Sequence, residues 1–119
     1  MSYLNDFLTH YISCALWSSS DDSGKGEYLD SNYSREDISP ATESEIKEDC
    51  KNFIDRANDL LKDIDVEQAG HDFWLTRNGH GAGFWDRGLG EIGDKLTEIC
   101  KEFGECNLYI GDDGKIYLM

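Results

Sequence analysis

The sequence predicts an α+β fold, with two or three helices packed on a small antiparallel sheet in the order helix-helix-strand-helix-strand-strand. Three observations carry that reading. Apolar residues recur at helical spacing in three separate stretches. The closing run "CNLYI-GDDG-KIYLM" sets two short β-prone segments about a turn. Between them, "HDFWLT" (71–76) is rich in residues that favour strands and stops at a cluster of glycines. A chain of 119 residues is expected to form one domain, 1–119, with enough length to bury a core without disulfide support.

The elements follow in order. Leu4, Phe7, Leu8, Tyr11, Ile12, Ala15 and Leu16 form the stripe of a first helix. A polar surface connection at about 17–39 follows, with Tyr28, Leu29 and Tyr33 expected to lie on the domain. "SPATESEI" announces a second helix, with Ser39 as cap and Pro40 at its first position. Ile46, Cys50, Phe53, Ile54, Ala57, Leu61 and Ile64 supply its buried face. After the strand expected at "HDFWLT" and the turn "NGHGAG", a third helix runs near Leu89 to Phe103, with Gly104 as its C-cap. Cys14, Cys50, Cys100 and Cys106 show no CxxC spacing and read as small core hydrophobes with reduced thiols, pointing to a cytoplasmic protein.

Residues 70–87, "GHDFWLTRNGHGAGFWDR", hold six ionisable side chains and four aromatic rings. On the structural reading the rings supply core mass, and Arg77 and Arg87 pair with Asp72 and Asp86. On the interface reading Trp74, Arg77, Asn78, His80, Trp85 and Arg87 contact a partner, because Trp and Arg dominate binding hot spots. A catalytic alternative uses His71, Asp72, His80 and Asp86 as acid–base groups. No nucleophile motif accompanies them, however, and adjacent positions on a strand point to opposite faces. The stretch has no HxH, HExxH or CxxC spacing, so neither a metal nor another cofactor is expected.

"GHDFWLTRNGHGAGFWDRG", with "YISCALWSSSDD" and "YIGDDGKIY", resembles a signature of small acidic proteins carried by tailed bacteriophages and prophages. The resemblance covers most of the chain. It brings no activity and no catalytic residues, but it implies an accessory product made in the cytoplasm of an infected bacterium.

That context bears on the charge. With 25 acidic and 11 basic residues the net charge is −14, which opposes binding to nucleic acid or anionic lipid and favours a basic partner. Asp55, Asp59 and Asp63 recur every four residues and are expected to form a row on the second helix, extended by Glu45 and Glu48. The functional expectation is a protein that binds and inhibits or regulates a host or phage protein. In its most specific form it is a counter-defence factor of the anti-restriction or anti-CRISPR type, with carboxylates competing for a basic nucleic-acid groove. The alternative is a small enzyme or ligand-binding domain with its site at 70–87.

Overall fold

The computed structural model describes residues 2–19, 28–79 and 82–118. Among them are four α-helices, α1 (Tyr3–Ser18), α2 (Pro40–Ala57), α3 (Val66–Arg77) and α4 (Glu91–Phe103), and two strands, β1 (Leu108–Ile110) and β2 (Ile116–Leu118). The protein is thus mainly helical, with one small sheet near its C-terminal end. None of these helices is long and apolar enough to cross a membrane.

Local chemistry sets most boundaries. The Ser2 hydroxyl accepts from the Asn5 N–H and caps α1, and Ser39 caps α2 by accepting from the Thr42 N–H at 3.2 Å, with Pro40 at the first position. Gly104, at φ +76°, ends α4 in a conformation that disfavours any residue with a Cβ. Gly114 does the same for the hairpin, in which Leu108, Tyr109 and Ile110 pair antiparallel with Leu118, Tyr117 and Ile116. Ile38 adds a parallel bridge to Ile116, and the Ser39 N–H donates to the Ile116 carbonyl at 3.0 Å. The segment entering α2 therefore lies along the sheet. The connection after α1 is tied down where it is described, because Leu29 is buried and its N–H donates to the Ser19 carbonyl at 2.9 Å.

Two expectations are corrected. The expected strand at "HDFWLT" is the second half of α3. Ala69, Gly70 and all six residues from Asp72 to Arg77 are buried. A helix covered on nearly every side has no polar face, so its sequence lacks the 3.6-residue period and its aromatic content imitates a strand. The expected acidic row on one helix is also broken. α2 ends at Ala57, Asn58 takes φ +40°, and Asn58–Leu61 form a 3₁₀ turn. Asp55, Asp59 and Asp63 are exposed but do not share a helical face.

The core is organised around rings. All five phenylalanines of the chain meet in it, with Phe53 of α2 and Phe73 of α3 stacked at 4.2 Å and 11°. Phe53 also contacts Phe7, Phe84 and Phe103, at centroid distances of 5.9, 5.9 and 6.1 Å. One residue thereby links α1, α2, α3, α4 and the loop between α3 and α4. Phe53→Ala would leave a cavity at the point where these elements converge. Its expected cost is about 3–5 kcal/mol, read as a lowered midpoint of urea unfolding.

Candidate functional site

The first part of the signature is buried within α3. Asp72 is completely buried, yet its carboxylate is fully engaged. Arg87 donates to it from Nη2 at 2.9 Å and from Nε at 3.2 Å, and Gln68 Nε2 donates at 2.7 Å. The two-pronged contact suits the fork of a guanidinium and holds the loop after α3 against the helix. Hydrogen bonding to Asp72 raises the Arg87 pKa further. Asp86, the second carboxylate of the motif, accepts from the Gly83 N–H and lies 3.7 Å from Arg87.

Arg77 is the other fixed point. Its side chain is 4% exposed and reaches three helices besides its own. Nη1 donates to Asp49 of α2 at 2.9 Å and to the Tyr11 hydroxyl of α1 at 3.1 Å. Nε and Nη2 donate to the carbonyls of Gly104 and Phe103, where the negative end of the α4 dipole favours a cation. The guanidinium also lies over the rings of Phe73 and Phe103 at 5.3 and 5.7 Å. Asn78 accepts from the Cys106 N–H and donates to the Trp74 carbonyl, which joins the end of α3 to the approach to β1.

These contacts sort the residues that the sequence singled out. Trp74 is buried and donates from Nε1 to Ser18 Oγ at 2.8 Å, so neither it nor Arg77 offers surface to a partner. Trp85 is half exposed and Arg87 is partly so. His80 lies outside the described residues. The acidic positions Glu45, Glu48, Asp55, Asp59 and Asp63 are all exposed. For acid–base chemistry, Asp72 is committed to Arg87 and Gln68, while His71 faces a different group of side chains. The four cysteines are buried free thiols. Burial pushes the Cys14 thiol up to about 12 and raises the other three as well, so all stay protonated and weakly nucleophilic.

The neighbours of His71 escaped the sequence reading. α3 crosses α1 at Gly70, and there His10 of α1 meets Glu67 and His71 of α3. His10 Nδ1 is 3.9 Å from Glu67 Oε2, the two imidazole centroids are 5.9 Å apart, and all three donor groups lie within 4.8 Å of one another. Burial lowers the His71 pKa, which favours the neutral ring with a free lone pair. Among the described residues, these are the ones that could hold a metal. Glu67 and His71 stand four apart, a spacing that signals convergence only on a helix, and 71–76 was expected to be a strand. Nothing in the sequence points to His10.

No protein-family model, curated protein or solved structure matches this chain. The site must be read from its own chemistry.

Two outcomes test the placement. Trp74→Ala is expected to cost about 3–5 kcal/mol, whereas Trp85→Ala stays within about 0.5 kcal/mol of the parent, both by chemical denaturation. Arg87→Ala strands a buried carboxylate and is expected to cost about 3 kcal/mol or more. Adding Asp72→Asn to that variant should recover part of the loss, as a double-mutant cycle would show.

Proposed function

We propose that this protein binds and inhibits or regulates a protein with a basic, nucleic-acid-binding surface, its carboxylates occupying the place of phosphates. The observation that carries the reading is the distribution of charge. All four arginines are engaged with carboxylates of the same chain: Arg35 with Glu43, Arg56 with Glu102, Arg77 with Asp49, and Arg87 with Asp72. The cations left outside those pairs are lysines, and the chain as a whole carries −14. Glu45, Glu48, Asp55, Asp59 and Asp63 are exposed, and none forms an ion pair with another described residue.

The break after Ala57 is compatible with this role, since carboxylates on a helix, a 3₁₀ turn and the loop beyond it can follow a curved groove. Such a surface gains association rate and specificity from long-range attraction and loses both as salt is raised. The signature resembling phage proteins supplies the setting, a counter-defence factor in the bacterial cytoplasm, with Trp85 and Arg87 as the parts of that motif open to a partner.

The test is capture from a bacterial lysate with the tagged chain, followed by elution across a salt series and, separately, by added double-stranded DNA. A nucleic-acid-binding protein released by moderate salt and displaced by DNA is the expected result. Asp55→Lys, Asp59→Lys and Asp63→Lys together should weaken that capture at least tenfold while leaving the circular dichroism unchanged. Capture that survives both the triple reversal and moderate salt would overturn the reading.

A further inference from the structure

We infer that His10, Glu67 and His71 form a binding site for one divalent transition-metal ion, with zinc the ion the donor set suits best. The inference is independent of the acidic-surface reading.

Geometry carries it. On α3, Glu67 and His71 are one turn apart and project from the same face. On α1, His10 is brought to them because Gly70 lets the two helices approach closely; a Cβ at residue 70 would stand 3.1 Å from the His10 Cβ. The site therefore rests on two packed helices rather than on loops. Its three donors already lie within 4.8 Å of one another. A tetrahedral zinc with bonds of about 2.0–2.2 Å holds its ligands roughly 3.4 Å apart. The difference is at most about 1.4 Å, within reach of χ rotations by side chains that are half-buried or exposed.

Donor chemistry selects the ion. Two imidazoles and one carboxylate suit borderline ions such as zinc, whereas magnesium and calcium prefer all-oxygen sets. Three protein ligands leave a coordination position to solvent or to a further ligand. Two of the three histidines in the chain are in this one place, and the net charge of −14 draws cations toward it. A bound ion would cross-link α1 to α3 at their closest approach, so its binding energy would add directly to folding stability.

Titration calorimetry tests this on the full chain, freed of any histidine tag, stripped with chelator and exchanged into neutral buffer. Zinc chloride should bind with a stoichiometry of one, and magnesium chloride should not compete. Zinc at a hundredfold excess over its dissociation constant should raise the melting temperature by about 10 °C. His10→Gln, Glu67→Gln and His71→Gln, each checked for folding by circular dichroism, should each weaken zinc at least tenfold and abolish most of the thermal shift. Absence of zinc binding to the parent chain would overturn the assignment. So would wild-type affinity in the substituted chains, which would place the ion elsewhere, or an equal thermal shift with magnesium.

Discussion

At Gly70 the backbone of α3 lies against that of α1 with no room for a side chain. A Cβ there would stand 2.7 Å from the Phe7 carbonyl oxygen and 3.1 Å from the Tyr11 nitrogen. Glycine inside a helix costs about 1 kcal/mol relative to alanine, and here the close crossing offsets that cost. Much else depends on the crossing. It seats Phe7 and Tyr11 on Phe73, at 6.0 and 5.3 Å, and sets Tyr11 edge-on to Trp74. It lines up Ser18 with the Trp74 indole, and it brings His10 to His71. A single missing side chain thus governs both the aromatic packing and the candidate metal donors.

The buried polar groups do a different kind of work. Burying Asp72 and Arg77 costs desolvation that ion pairing only partly returns, so such groups are weak evidence for stability as such. Their value here is in direction. Arg77 accommodates one arrangement of four helices, because its donors match an α2 carboxylate, an α1 hydroxyl and two carbonyls at the end of α4. Asp72 likewise accepts one placement of the loop that carries Arg87. A core made only of interchangeable rings would specify its packing less sharply.

Features written in local chemistry were legible in the sequence. The Ser39–Pro40 start of α2, the stripe and glycine stop of α4, and the terminal hairpin each depend on residues within a few positions of one another. Features created by tertiary surroundings were not. The centre of α3 lost its helical period by being buried on almost every side, and α2 stopped at Asn58 although the apolar pattern runs on to Leu61 and Ile64. That pattern persists because the 3₁₀ turn still directs Leu61 into the core. Of the site, the aspartate–arginine pairing of the signature was readable in kind, though its partners differ. Arg77 takes Asp49 rather than a carboxylate of the motif. His10 was invisible because its relation to His71 exists only across the helix crossing.

The bridge between Ile38 and Ile116 has a consequence for the order of assembly. Ser39 serves two structures at once, its hydroxyl capping α2 and its amide bonded to the last strand. Helices and the hairpin can form from contacts close in sequence, within microseconds. Joining the head of α2 to β2 instead closes a loop spanning most of the chain, and the entropy of that closure must be met before the contact returns anything. The hairpin therefore acts as a latch. During synthesis, the start of α2 waits on a strand made almost eighty residues later, and until it arrives the amide of Ser39 is left to water.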